Sequence, residues 1–251
     1  PVPIRRDEIF RLISEKGAIK VTELSEQLGV TNMTIRRDLE SLEKEGIIER
    51  THGGAIAANR RVQEPLFYQK MRYHNTEKDA IAKVVTSLIE DNDTIFLNSG
   101  TTTLRIFTRI LAKNVKLVTN NAYFPTLTLP DHIEVISTGG VFRKESFTYI
   151  GDGALQSISR VYATKSFLGV DGFDVEFGIT TPVQPEAQIN RTMIEHTQGP
   201  VYIVADSSKL AKVSHFFVAP VHVVYALITD VGITKEQKTA FEEAGIKVII
   251  G

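Results

Sequence analysis

The stretch Thr22–Leu42 constrains this chain more than any other, because it writes two short amphipathic helices separated by a single glycine. Thr22 can cap a helix whose inner face is Leu24 and Leu28, and Gly29 stops it after about two turns. Val30 can tuck inward, and Thr31 can cap a third helix with Ile35, Leu39 and Leu42 at i, i+4, i+7 on its buried face. Ahead of both, residues 5–16 place Ile9, Leu12 and Ile13 on one helical stripe that Gly17 ends. Two short helices around so tight a turn cross steeply, which is helix-turn-helix geometry. After Gly46, Ile47–Thr51, a His52-Gly53-Gly54 turn and Ala55-Ile56 read as a hairpin, so the segment is expected to be winged.

The solvent side of the third helix carries Met33, Arg36, Arg37 and Glu40, with Asn32 and Thr34 at its N-terminal end. Asn and Arg make the bidentate contacts to adenine and guanine edges, and the N-terminal half of the second helix of such a pair is where bases are met. Arg50 and His52 fall near the wing tip, where phosphate or the minor groove is in reach. A plainer alternative stands beside this one: Arg36 can pair with Glu40 at i, i+4 on a solvated helix. Net charge offers no help. The whole chain carries −1, and residues 1–60 hold ten Lys or Arg against ten Asp or Glu. A case for double-stranded DNA therefore rests on where the arginines point, not on a basic footprint.

Residues 57–74 lose periodicity and contain Asn59-Arg60-Arg61 and Glu64-Pro65. The expected organisation is a DNA-binding domain at 1–57, a linker at 58–74 and an α/β domain at 75–251. In the last, the apolar runs Thr94–Leu97, Val115–Val118, Ile133–Ile136, Phe167–Val170, Val201–Ala205, Val224–Ile228 and Lys247–Ile250 read as strands. Helical patterns such as Leu104, Phe107 and Leu111 lie between them, which argues for a largely parallel sheet. Such sheets bind ligands at the carboxyl ends of their strands, so the residues after each run matter most.

Those residues are small and polar five times over: Asn98-Ser99-Gly100-Thr101-Thr102-Thr103, Asn120-Asn121, Gly139-Gly140 with Arg143, Asp171-Gly172, and Asp206 with Lys209. Capping residues and turn glycines give one such loop in any α/β protein. Five in the same topological position point to one pocket with an anion subsite and hydroxyl partners.

Thr31-Asn32-Met33-Thr34-Ile35-Arg36-Arg37-Asp38-Leu39, then Leu42, Gly46 and Arg50-Thr51-His52-Gly53-Gly54-Ala55, closely resemble the N-terminal signature of the DeoR family of bacterial repressors. Gly100 to Thr103, Thr119-Asn120-Asn121, Gly139-Gly140, Phe167 to Gly172 and Asp206 to Lys209 resemble its sensor domain, so the resemblance covers nearly the whole chain. It implies a winged helix-turn-helix plus an α/β sensor resembling the ribose-5-phosphate isomerase type fold. It also implies an operator released by a phosphorylated sugar or related metabolite. Carried over by residue, Gly100 to Thr103 hold phosphate and Lys209 adds charge. Asn120, Asn121, Asp171 and Asp206 address hydroxyls. Glu186 fills an acidic position, or is only a helix-opening charge. Lys70, Asn75, Glu77 and Lys78 match residues around the first sensor helix, where Lys78 either senses the effector or is surface charge. Two positions depart from the family pattern: Asn98 stands where Asp is usual and Asn190 where Lys is usual, which removes charge beside the expected pocket.

Other classes are narrowed by composition. The chain has no cysteine and six scattered histidines, so neither a thiolate site nor a metal is expected, and no cofactor is implied. No apolar run approaches the roughly 18 residues of a membrane span, and Pro1 to Asp7 lead into a charged helical pattern, so a cytoplasmic protein is expected. Half-site recognition implies a homodimer or homotetramer. Two rivals stay open. One is an isomerase-like enzyme using Asp171, Glu186 or Asp206 as base, with the helix-turn-helix as an accessory. The other is a scaffold whose helix-turn-helix binds protein.

Overall fold

The computed structural model describes residues 5, 6, 8–10, 12, 13, 18–44, 48–51, 53–57 and 67–251. His52, Gly17, Gly46 and positions 58–66 of the linker lie outside the described residues. The chain forms two compact units, Pro1–Gln63 and Glu64–Gly251.

In the first unit, the described residues between 5 and 13 are helical and bury Ile9, Leu12 and Ile13. There follow β1 (Ala18–Lys20), α1 (Val21–Leu28), α2 (Asn32–Lys44), β2 (Ile48–Thr51) and β3 (Gly54–Ala57). Gly29 closes α1 in the left-handed conformation at φ 63°, and Thr31 Oγ1 accepts the Thr34 N–H at 3.3 Å, as the cap pattern requires. Ile35, Leu39 and Leu42 meet Ile19, Val21 and Leu24 in one core.

Two details differ from the sequence reading. The wing is a three-stranded antiparallel sheet of order β1-β3-β2, because Ala18–Lys20 pairs with β3. Three residues are too few for a period-2 pattern to register. α1 then starts at Val21, directly after that strand, with Lys20 and not Thr22 preceding it. Gly54 is required at this seam: a Cβ there would lie 2.1 Å from the Ile19 carbonyl oxygen. Asp38, read as part of a motif only, is buried on the core side of α2 and takes Arg5 Nε at 2.6 Å and Arg6 Nε at 3.2 Å.

The second unit opens with α3 (Phe67–Arg72) and α4 (Asn75–Leu88). Its sheet has seven strands, β4 (Thr94–Leu97), β5 (Val115–Thr119), β6 (Ile133–Ser137), β9 (Lys165–Gly169), β12 (Val201–Val204), β14 (Ala226–Thr229) and β15 (Lys247–Ile250). They are ordered β15-β14-β12-β9-β4-β5-β6 with every pairing parallel. Each corresponds to one of the seven runs read from sequence. The chain moves outward from β4 through β6, then returns to β9 beside β4 and continues the other way. The strand order thus reverses between β4 and β9, and the carboxyl ends at such a reversal are where open parallel sheets bind ligands.

Side chains alternate across this sheet: Ile95 and Leu97 join one core, Phe96 the other. The remaining elements are a hairpin, β7 (Val141–Arg143) with β8 (Thr148–Ile150), and a small sheet, β10 (Gly172–Asp174), β11 (Gly178–Thr181) and β13 (Phe216–Ala219). The helices α5 (Thr101–Leu104), α6 (Asp152–Ser159), α7 (Gln184–Glu195) and α8 (Lys235–Glu243) complete it.

The helix read through Leu104, Phe107 and Leu111 is broken. α5 ends after four residues, a 3-10 turn covers Phe107–Arg109, and Leu111 is 82% exposed. The i→i−3 bonds from Arg105 N–H to Thr102 and from Ile106 N–H to Thr103 tighten the chain, so Ile106 and Ile110 fill the core instead. Phe67–Arg72, read as linker, is helical because Phe67 is buried in the core beneath β4 and β5.

Candidate functional site

Within the first unit, Asn32, Met33, Arg36 and Arg37 are all exposed along the N-terminal half of α2, and Met33 is 60% exposed despite being apolar. Among the described residues, Arg36 and Arg37 have no ion pair or side-chain hydrogen bond. Thr34 is less free, since its hydroxyl lies 3.0 Å from that of Thr31 within the cap. Glu40 pairs with Arg50 Nη1 at 3.2 Å, and Glu43 approaches the same atom at 3.8 Å. The wing arginine, not Arg36, therefore neutralises this face.

In the second unit, the polar loops follow β4, β5, β6, β9 and β12, which are consecutive neighbours in the sheet. At the β4–β9 reversal, Asn98 is a clamp. Its Nδ2 donates to Gly169 O at 2.7 Å and to Asn190 Oδ1 at 3.0 Å, while its Oδ1 accepts the Gly169 N–H at 2.9 Å. The two departures from the family pattern are thus bonded to each other, a neutral amide pair joining β4, β9 and α7. Thr103 is spent similarly, on Asn98 O at 2.7 Å and Gly100 O at 2.8 Å. Among the described residues the hydroxyls of Ser99, Thr101 and Thr102 carry no such bond.

Beside this clamp lies a cluster of charges. Lys70, from α3, holds Asp171 Oδ1 at 2.6 Å, and the Thr181 hydroxyl donates to the other oxygen at 3.2 Å. Burial pushes the Asp171 carboxyl upward, but Lys70 and Lys209 outweigh it and hold the group below the usual carboxylate range. Asp206 behaves alike: burial opposes ionisation, and Lys209, the Ser208 hydrogen bond, His74 and Lys78 prevail. It also caps the 3-10 turn Ser207–Lys209 through the Ser208 N–H. Lys78 is 4% exposed and donates to Lys70 O at 2.5 Å and Tyr73 O at 2.6 Å. Burial, countered by Asp206 but reinforced by Lys209, Arg105 and Lys70, lowers its pKa to about 8. Lys209 is lowered too, by burial first and by Lys70 and Lys212, against the pull of Asp171 and Asp206. Lysines crowded and partly desolvated in this way are held in a site where a further anion relieves their repulsion.

The rest of the expected pocket is divided. Asn120 Nδ2 donates to Thr148 Oγ1 at 2.6 Å, and Asn121 Oδ1 accepts the Tyr123 N–H at 2.8 Å, so both tie β5 to the following chain. Asn120 Oδ1 and Asn121 Nδ2 are buried without a hydrogen bond among the described residues. Arg143 Nη1 lies 3.6 Å from Glu186 Oε1 and 2.9 Å from Ser146 Oγ, which joins the hairpin to α7. Gly139 and Gly140 have φ of 61° and 111°, and a Cβ on Gly140 would meet Ile150 O at 2.6 Å. Gly172 is confined by Lys212 O, 2.5 Å from its notional Cβ. Gly140 and Gly172 thus serve the backbone's own packing, and Gly139 a left-handed turn with open space around it.

Sequence reasoning missed the Lys70–Asp171 pair, Thr181 and Asp230. Asp230 is 3% exposed and receives the Ser207 N–H at 2.6 Å. It directly follows β14, so the carboxyl-end rule applied to one more strand would have found it. Among the described residues, no group of His, Asp and Glu is arranged to hold a metal ion, and no helix is long and apolar enough to cross a membrane.

Residues 5–61 match the DeoR-like helix-turn-helix domain, and residues 73–231 match the DeoR C terminal sensor domain. The HTH-type transcriptional regulator GlpR of Haloferax volcanii is 33% identical over 248 residues, covering 98% of this chain and 97% of that protein. The lactose phosphotransferase system repressor of Staphylococcus epidermidis is 31% identical over 232 residues, covering 90% and 91%. Among solved structures, ribose 5-phosphate isomerase A from Methanocaldococcus jannaschii is similar over 54% of each chain, at 15% identity and a TM-score of 0.38. The translation initiation factor eIF-2B of Pyrococcus horikoshii OT3 is similar over 90% of this chain and 86% of that one, at 14% identity and a TM-score of 0.42. Likenesses at these scores do not bear on function.

Proposed function

We propose, for a chain that belongs to the DeoR family of HTH-type transcriptional regulators, that it represses a carbohydrate operon and releases its operator when the second unit binds a phosphorylated sugar or related metabolite. The first unit is the DNA reader, with Asn32, Met33, Arg36 and Arg37 toward base edges and Arg50 and His52 toward the backbone. The second unit is the sensor.

One observation carries the effector reading: Lys70 pairs with Asp171 at 2.6 Å, and the buried Lys78 and Lys209 act electrostatically on Asp206, at the carboxyl ends of β9 and β12 next to the strand reversal. An anionic group entering there is attracted by all three ammoniums, while Thr101 and Thr102 offer hydroxyls. Phosphate supplies two negative charges, which a free sugar lacks. Operator and effector favour different arrangements of the protein, and a coupling of about 1–3 kcal/mol lowers operator affinity roughly 5- to 150-fold. Reading paired half-sites calls for a homodimer or homotetramer.

The sensor is not an enzyme in this reading. An isomerase base is most effective with a pKa near the working pH. Asp171 and Asp206 are both held below the ordinary carboxylate range, which makes them weak bases. The direct test is calorimetric titration of the full chain with sugar phosphates and the matching free sugars. Heat from a phosphorylated form alone, lost in Lys209→Met, is expected. Equal binding of free and phosphorylated forms would overturn the phosphate reading, and exchange of sugar-phosphate C–H protons into deuterated solvent would restore the enzyme.

A further inference from the structure

α3 lies between the two family matches, which end at residue 61 and begin again at residue 73, so neither gives it a role. Within the second unit it is the first described element, and several contacts fasten it, among them Tyr68 on Phe147 at 4.9 Å and Met71 on the core. The Phe67 ring packs against Tyr123 and Phe147 at centroid distances of 5.2 and 5.3 Å, and the Phe67 N–H donates to Glu145 O at 2.8 Å. Lys70 Nζ reaches Asp171 at 2.6 Å. The Lys78 ammonium accepts nothing but donates to two carbonyls at the end of the helix, those of Lys70 and Tyr73.

The ring packing is apolar and the Phe67 N–H bond is between neutral groups. The Lys70 and Lys78 contacts run through ammoniums that stand in the charge cluster, and an anion in that cluster competes with Asp171 for one and with backbone carbonyls for the other. A charge-assisted bond to a dianion is stronger than one to a neutral carbonyl.

We infer that α3 is a latch across the effector site: Lys70 is shared between Asp171 and the effector's anionic group, and drawing it away loosens the helix that joins the sensor to the linker. This rests on the proposed effector reading. Occupying the site and loosening α3 then become the same event, with the packing of Phe67, Tyr68 and Met71 as the anchor that remains. Lys70 is a binding residue for the effector as well as the tether, and Asp171 positions it instead of meeting the sugar first.

The test uses the full-length protein in five forms: wild type, Lys70→Met, Asp171→Asn, the two combined, and Lys70→Arg. Amide hydrogen exchange over residues 67–74 reads the latch, and anisotropy with operator DNA reads its output. Each single substitution is expected to lower protection and operator affinity by about fivefold or more, in the range of an allosteric coupling. The double variant is expected to be no worse than the stronger single, and Lys70→Arg to keep both properties. Unchanged protection in the singles would overturn the latch. Lost protection with unaltered operator affinity would overturn its regulatory role. A wild type that recognises no operator would sink the functional reading instead, and the exchange cycle would still decide whether Lys70 and Asp171 hold the helix.

Discussion

Replacing Lys78 by methionine isolates one ionisation in the sensor unit. The native ammonium is 4% exposed, and burial together with Lys209, Arg105 and Lys70 outweighs Asp206 to bring its pKa from 10.5 to about 8. The unfolded chain returns the group to its ordinary value. Between about 8 and 10.5, the unfolded chain therefore holds a proton that the folded sensor has released. Stability from this group is fully present above the upper value and is lost as pH falls through the lower one. A shift of this size corresponds to about 3 kcal/mol. Methionine preserves the unbranched stem and cannot titrate. Urea unfolding of wild type and Lys78→Met at several pH values from 7 to about 11, following the sensor transition, gives the difference between the two curves. That difference should grow by about 3 kcal/mol in favour of wild type across the window. Parallel curves would refute the claim that this lysine is charged against a burial penalty.

Three other expectations are sharp. Arg37→Ala should cost about 1–3 kcal/mol at the operator without altering thermal stability, and unchanged affinity would return Arg37 to a solvated face. Asn98→Asp sets a carboxylate against Asn190 Oδ1 and Gly169 O and should destabilise the sensor by about 3 kcal/mol; adding Asn190→Lys should recover most of it, as read by denaturant midpoints. Leu39→Ala removes a fully buried side chain from the first unit's core and should cost about 2–5 kcal/mol in the unfolding of that unit, leaving the sensor transition in place.

What the sequence made legible follows from length and period. All seven sheet strands could be read because each is an apolar run between polar loops, and their carboxyl ends could be named because the pattern repeats. The third strand of the wing could not, since Ala18–Lys20 offers one buried residue between two exposed ones. α3 was hidden because its stripe is a single i, i+4 pair, Phe67 and Met71, too short in six residues to stand out as a period.

At the site, residue types pointed to polarity but not to partners. Asn98 read as a ligand contact and is a clamp between strands; Asp171 read as a sugar contact and is held by Lys70, which is 101 residues away in the chain. Pairings of that separation depend on how β9 and α3 come together, and no local pattern records it. Conversely, the exposed side of α2 was readable because helical period alone separates Arg36 and Arg37 from Ile35 and Leu39.

In the proposed mechanism the first unit reads an operator and the second releases it. Fluorescence anisotropy with duplex DNA from upstream of the chain's own gene, set against a scrambled duplex at fixed salt, tests it most directly when repeated with phosphorylated sugars added. Tight, salt-sensitive binding to the native duplex alone is expected, weakened roughly 5- to 150-fold by one phosphorylated sugar and not by its free form. Equal weak binding to both duplexes, with no preferred site recovered from a randomised library, would contradict it.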